Sequence, residues 1–306
     1  MIQNSGAIGQ QFLTNLQFLQ QQMAATQSQL SSGYQINQAS DNPGAVGDLL
    51  QLESDLGRVN QVASNLKNVS GEVNTAETTL QSVTQLLEQA SSLAAEGAST
   101  TVSASDRTGL SQQVQQILSQ LVSAANTTFE GQYVFNGDTN SPPYQIDASS
   151  PTGVDQLGTT PAPRLIQDAT GVTFGVSLTA QQIFDHRDQS NQPDASNVFL
   201  AVQSLATALA NNDQTGITNA VDSLQSAQDY FSQQLQFYGG VQNQITNATD
   251  VAQKFQLQDQ TSIGQLRDTD VAAASVSLTQ EQTNYQAAVQ SEAAMPKGSL
   301  FNYLQS

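Results

Sequence analysis

The stretch SSGYQINQASDNPGAV, Ser31 to Val46, separates two long helical patterns, and its reading decides the fold. Gly33 closes the first pattern, because a glycine just past a helix end can take the left-handed conformation that other residues resist. Asn42 or Asp41 can cap the next helix by accepting from its unpaired backbone N–H groups. Pro43 fits the first helical turn, where no donor is needed. Gly33, Asn37, Asp41, Asn42 and Pro43 therefore define a structural turn between two helices.

On the N-terminal side, Phe12, Leu16, Leu19, Met23, Thr26 and Leu30 are spaced by alternating steps of four and three. That heptad stripe turns one narrow face toward a partner helix. The first forty residues carry no charged side chain. A solvated helix places Lys and Glu on its outer positions, so this one is expected to be covered on more than its stripe. On the C-terminal side, Leu49, Leu52, Leu56, Val59, Ala63, Leu66, Val73, Leu80 and Leu87 continue the stripe, which drifts through Val83, Leu86 and Leu93. The spacing predicts one helix of about fifty residues, a rod of roughly 75 Å at 1.5 Å per residue.

The prolines divide the rest of the chain. Six of the eight fall between Pro142 and Pro193. Before them, Asp106 or Ser103 caps a third helix carrying Leu110, Val114, Ile117, Leu121 and Ala125. The period then changes at Tyr133-Val134-Phe135, and Asn136-Gly137 is a turn signal. Up to Pro193 the chain reads as a small β-rich insert whose clearest strand lies in GVTFGVSL, Gly171 to Leu178. Helix returns at Asp194 and runs, after Asn211-Asn212-Asp213, through Ile217, Val221, Leu224, Phe231, Leu235, Tyr238, Val241, Ile245, Ala252, Phe255 and Ile263. Gly239-Gly240 inside it implies a packing contact or a bend, since two interior glycines cost roughly 2 kcal/mol. Asp268 or Thr269 caps a last helix with Val271, Ser275, Leu278, Gln282, Tyr285, Val289 and Glu292 as its stripe.

Both chain ends thus carry a stripe that cannot be buried alone, and the economical solution pairs them. The expected fold is mainly α: a long antiparallel helical coiled coil or bundle formed by both ends, with a small β-rich insert in the middle. Three domains are expected: 1–42 with 268–306 as a terminal coiled coil, 43–137 with 194–267 as a long-helix bundle, and 138–193 as the insert.

Composition narrows the function. With 8 basic against 26 acidic residues and a net charge of −18, the chain lacks the clustered Lys and Arg that nucleic acid and anionic membranes require. No cysteine is present, which removes disulfides and thiol catalysis. No run approaches the roughly 18 apolar residues of a membrane span, and the neutral start is unlike a secretory leader. His186, flanked by Asp185 and Asp188, is the one candidate for a metal or acid–base site, and a loop charge cluster explains it as well. No phosphate loop, HExxH or GxSxG occurs. No catalytic, cofactor or metal site is expected.

The ordered set of motifs resembles a known family. LSSGYQINQASDNPGAV resembles the turn near the N-terminus of bacterial flagellins and their junction relatives. GGVQNQI (Gly239 to Ile245), LRDTDVAAA (Leu266 to Ala274) and GSLFNYL (Gly298 to Leu304) look like the C-terminal motifs. The likeness covers roughly residues 1–145 and 215–306. Within the family, ANTTFEGQYVFNGDTNSPPY (Ala125 to Tyr144) looks like hook-associated proteins of the hook–filament junction, whereas MIQNSGAIGQQ lacks their familiar Arg and Met. The resemblance implies a tube-forming subunit, exported by the flagellar type III route without a cleaved signal peptide and placed outside the cell. Its partners would be copies of itself, the other hook-associated protein, flagellin and an export chaperone. Phe12, Leu16, Leu19, Met23, Leu30, Val271, Leu278, Tyr285, Val289, Leu300, Phe301 and Leu304 would form its assembly interface. A filament flagellin is the alternative, and an adhesin on a helical stalk is a further one.

Overall fold

Helix α1, Ile2–Ser32, ends where Gly33 takes a φ of 77° and donates its N–H to the Gln29 carbonyl at 2.8 Å. Helix α2, Pro43–Gly97, begins at a cap for which the sequence offers two residues. Asn42 is the cap: its Oδ1 accepts from Ala45 N–H at 3.2 Å. Asp41 instead closes the preceding turn, its carboxylate accepting from the N–H groups of Asn37 and Gln38. The computed structural model describes residues 2–137, 139–158 and 162–294, with the side chains of 2–8, 292 and 294 left aside.

At 55 residues, α2 is the rod its stripe predicts. Helix α3, Ala104–Ala125, is capped by Ser103, whose hydroxyl accepts from Asp106 N–H and donates to the Asp106 carboxylate. Three antiparallel hairpins come next: β1 (Thr128–Phe129) with β2 (Gln132–Tyr133), β3 (Tyr144–Ile146) with β4 (Val154–Gln156), and β5 (Leu165–Gln167) with β6 (Thr173–Gly175). Val134 and Phe135 do not alternate as expected. Both are buried, because the chain leaves the hairpin there and enters the core. The short α4 (Ala180–Phe184) and then α5 (Val198–Ala210), capped by Asn197, lead to α6 (Gln214–Arg267) and α7 (Val271–Ala294). The cap of α7 is neither Asp268 nor Thr269 but Asp270, whose carboxylate accepts from Ala272 and Ala273 N–H at 3.0 Å.

The chain divides into two units, Met1–Arg58 with Gln256–Ser306 and Val59–Phe255. The second holds most of the apolar core. Leu66, Leu80 and Leu87 of α2 are fully covered, with Leu121 of α3, Leu205 of α5 and Phe231 of α6. The segment between α3 and α5 shares this core: Tyr144, Val154, Ile183 and Phe184 are buried in one cluster with the helices. Phe184 stacks on Phe199 at 5.8 Å between ring centres and meets Phe135 edge-on at 5.8 Å. Among the described residues three charged side chains are buried here: Asp185, Arg107 and Glu72, the last paired with Arg164. Asp185, fully buried, accepts from the Tyr144 hydroxyl at 3.0 Å, the Asn197 amide at 2.6 Å and Arg187 at 2.8 Å. Burial and that carboxylate push the Tyr144 phenol far above its ordinary range, so it stays a donor. Arg107 donates to the carbonyls of Gly97 and Ser99 at the end of α2, and to the side chains of Asn212 and Gln214. It thereby meets the unpaired carbonyls that a helix C-terminus leaves.

Gly239 and Gly240 lie within α6, and of the packing contact or bend expected there the contact is absent, since a Cβ at either would meet nothing within 4 Å. Gly97 is the opposite case, where a Cβ would fall 2.3 Å from Leu209 Cδ2. Gly239→Ala and Gly240→Ala should each raise stability by about 0.5–1 kcal/mol through helix propensity. Gly97→Ala should lower it by about 1–3 kcal/mol through overpacking. Urea midpoints of the three variants, read by far-UV circular dichroism, should move in those opposite directions.

Candidate assembly site

The first unit brings α1 and α7 together. Its hub is a short antiparallel bridge between Tyr34 and Asp268. Gln35 N–H donates to the Arg267 carbonyl at 2.7 Å, and Thr269 N–H donates to the Gly33 carbonyl at 2.8 Å. The Gln35 amide reaches the Leu266 carbonyl at 2.8 Å, so the last carbonyls of α6 are met by the turn. The Arg267 guanidinium lies 4.3 Å above the centre of the Tyr34 ring and 3.9 Å from the Glu53 carboxylate. Asn37 donates from its amide to the Tyr34 carbonyl, holding the turn open toward this bridge. Each structural-turn residue named from the sequence thus has a place: Gly33 ends α1, Asn37 and Asp41 shape the loop, Asn42 caps α2 and Pro43 opens it.

Beyond the bridge, α1 packs against α7. The pairs run in opposite directions: the Thr26 hydroxyl donates to Glu281 Oε1 at 3.1 Å, and the Gln20 amide donates to the Tyr285 hydroxyl at 3.1 Å. The helices are therefore antiparallel. On α1, Phe12, Leu16, Leu19, Met23 and Leu30 are half-buried and Thr26 is buried, while most residues between them are exposed. On α7 the packed face is Ala274, Leu278, Glu281, Tyr285 and Ala288. It shares Leu278 and Tyr285 with the stripe read from sequence but leaves Val271 and Val289 exposed. The reason is local. Leu278 and Tyr285 are one heptad apart, and the position between them falls at Glu281 rather than Gln282. The small Ala274 and Ala288 let α1 approach, and Thr26 supplies a donor that the Glu281 carboxylate accepts. Leu300, Phe301 and Leu304 lie outside the described residues, as does the Glu292 side chain.

The face is only half covered within one chain. A fully buried Leu or Phe gains about 1.5–3 kcal/mol, and half-burial realises part of that. Leu13 and Phe18 of α1, Leu50 of α2, Leu257 of α6 and Val276 of α7 also stand exposed, the last at 71%. The heptad reading misses these residues because they lie off the stripe. An apolar residue off the heptad stripe is the signal that could have found them, most plainly for Leu13 and Phe18 in the charge-free α1. His186, the one catalytic candidate, is elsewhere. Its Nδ1 pairs with Asp194 at 2.8 Å and its ring sits 4.6 Å from that of Tyr230, while Asp185 faces Tyr144, Arg187 and Asn197. Among the described residues no three His, Asp or Glu side chains gather as metal ligands, and no helix is long and apolar enough to cross a membrane.

The chain has counterparts among known proteins. Residues 4–140 match the bacterial flagellin N-terminal helical region. Over this part the chain is similar to flagellins. Flagellin B of Helicobacter pylori strain J99 is 28% identical over 145 residues, covering 47% of this chain and 28% of that protein. A flagellin of Clostridium tyrobutyricum is 26% identical over 187 residues, covering 58% of this chain and 49% of that one. The chain thus spans about a quarter to a half of the length of these flagellins. In fold, a flagellar hook-associated protein from Vibrio parahaemolyticus superposes with a TM-score of 0.64 at 23% identity, over 74% of this chain and 100% of that one. The flagellar hook associated protein-3 of Legionella pneumophila does so with a TM-score of 0.59 at 12% identity, over 71% and 98%.

Glu281 offers a test of the α1–α7 seam. Its Oε2 is buried without a donor, and Thr26 satisfies only Oε1. A carboxylate placed so is a net burden that an apolar side chain of similar size removes. Glu281→Leu should therefore slow amide exchange along Phe12 to Leu30 and Leu278 to Tyr285, by a factor corresponding to about 1–2 kcal/mol. Hydrogen exchange read by mass spectrometry checks this, with faster exchange in the variant as the contrary result.

Proposed function

We propose that this chain is a structural subunit of the bacterial flagellum, sited at the junction between hook and filament and not acting as an enzyme. The observation that supports this reading is coverage. The flagellin likeness of the sequence lies mainly in the N-terminal region and takes in about half or less of each flagellin, whereas the solved hook-associated proteins align over essentially their whole length. A short central segment folded into the helical core fits a subunit with little outer domain. Filament-forming flagellin is the second reading, favoured by the flagellin sequence likeness itself.

In this role the half-buried stripes of α1 and α7, with the exposed Leu13, Phe18, Val271, Val276 and Val289, meet neighbouring copies, the other hook-associated protein and flagellin. Residues 1–42 with 268–306 act as the terminal coiled coil, 43–137 with 194–267 as the long-helix bundle, and 138–193 as the β-rich insert. A chain without disulfides and with a charge-free leading helix suits passage through a narrow export channel, escorted by a chaperone, to a place outside the cell.

The test is assembly. The purified chain should stay monomeric at high concentration, even with filament seeds and precipitating salt. It should add to isolated hook ends only when the other hook-associated protein is present. Long filaments grown from this chain alone, seen by negative-stain microscopy, would replace the junction with the filament reading. Leu16→Asp and Leu278→Asp should each abolish incorporation, since an unpaired carboxylate in a packed seam costs several kcal/mol. The circular dichroism of the Val59–Phe255 unit should survive both changes, and normal incorporation would refute the seam's part in assembly.

A further inference from the structure

Helix α5 carries no charged residue, although one side of it is open to solvent. A solvated helix face ordinarily carries Lys, Arg, Asp or Glu. On that side Gln203, Ser204 and Thr207, with Asn211 just past the helix end, line a groove of about 590 Å³. Helix α6 supplies Asn219 to the same groove, and the β3–β4 turn borders it. The polar groups here are uncommitted. Elsewhere Thr75, Thr84, Thr218 and Thr249 donate their hydroxyls to the carbonyl four residues back in their own helix. Thr207, also inside a helix, makes no such bond. Among the described residues, the side chains of Gln203, Ser204, Asn211 and Asn219 meet no hydrogen-bond partner either.

The lining selects its ligand by charge and by hydrogen bonding. Carboxamides and hydroxyls each offer both donors and acceptors, so a matching ligand does both at several points. It is also neutral. No Lys or Arg borders the groove to hold an anion, the chain as a whole is at −18, and a cation finds a single exposed carboxylate, Asp213. An apolar ligand would strip these groups of water and give nothing back. The volume lies within the roughly 300–1,000 Å³ of small-molecule sites. We propose that the α5–α6 groove binds a neutral oligosaccharide, whose hydroxyls are held by the side chains of Gln203, Thr207 and Asn219.

The full-length chain, isotopically labelled, is titrated with maltotriose and with triacetylchitotriose, and amide shifts are tracked by NMR. Trigalacturonate, a saccharide of equal length bearing carboxylates, and acetyl-Ser-Gln-Thr-methylamide, a neutral polar peptide, are the controls. At least one neutral trisaccharide should give a saturable shift at Gln203, Ser204, Thr207 and Asn219, with at least tenfold weaker binding of trigalacturonate and of the peptide. Thr207→Leu and Asn219→Leu replace exposed residues and leave the core untouched, and each should weaken binding at least tenfold. No saturable shift at these residues with either trisaccharide, equal or tighter binding of trigalacturonate or the peptide, or full binding by either variant overturns the proposal.

Discussion

Two backbone hydrogen bonds, from Gln35 to Arg267 and from Thr269 to Gly33, hold the chain ends to a common origin. Neither end could find the other through its stripe alone, because α1 presents a thin apolar line and α7 an even weaker one. Fixing a residue's backbone costs about 1–2 kcal/mol, so two long helices need a starting contact before their side chains offset that ordering. The bridge supplies it at the point where α1 stops and α7 starts. Gly33 makes it possible, since its left-handed turn ends α1 and presents its carbonyl to Thr269. Arg267 then closes over Tyr34 and reaches Glu53, so three separate segments of the first unit meet at one side chain.

The two units solve burial differently. Val59–Phe255 wraps its helices around Phe135, Tyr144, Phe184, Phe199 and Phe231, and surrounds Asp185 and Arg107 with several partners each. The first unit has a ladder of half-covered residues and an acid, Glu281, with one oxygen unmet. The first pattern is that of a free-standing core. The second is that of a surface whose packing is shared with something else.

The helical frame was readable because its signals are local and repeated. The steps of four and three along Phe12 to Leu30, the Gly33 stop and the Pro43 start each state their consequence without the rest of the chain. Caps with two neighbouring candidates were not decidable in the same way: Asn42 over Asp41, Ser103 over Asp106, and Asp270 over Asp268 or Thr269 depend on which carboxylate a second turn has already taken. The packed face of α7 escaped because Val271, Val276 and Val289 spread around the helix, and the choice of Glu281 was made by Thr26 on the other helix of the pair. Likewise the aromatic cluster of the second unit joins residues from five segments, and nothing in Tyr133 to Phe135 announces that Phe135 turns inward.

The absence of charge in α1 has a consequence beyond packing. The first basic residue of the chain is Arg58, and between Arg267 and Lys297 there is none. Digestive and environmental proteases of trypsin specificity cut only after Lys or Arg, so both terminal helices give them no cleavage site, folded or unfolded. Of the cations that do exist, Arg107 is buried and Arg164 and Arg187 are engaged in ion pairs within the second unit. On the proposed export route, a chain that travels unfolded and then persists outside the cell thus offers that class of enzyme few places to start.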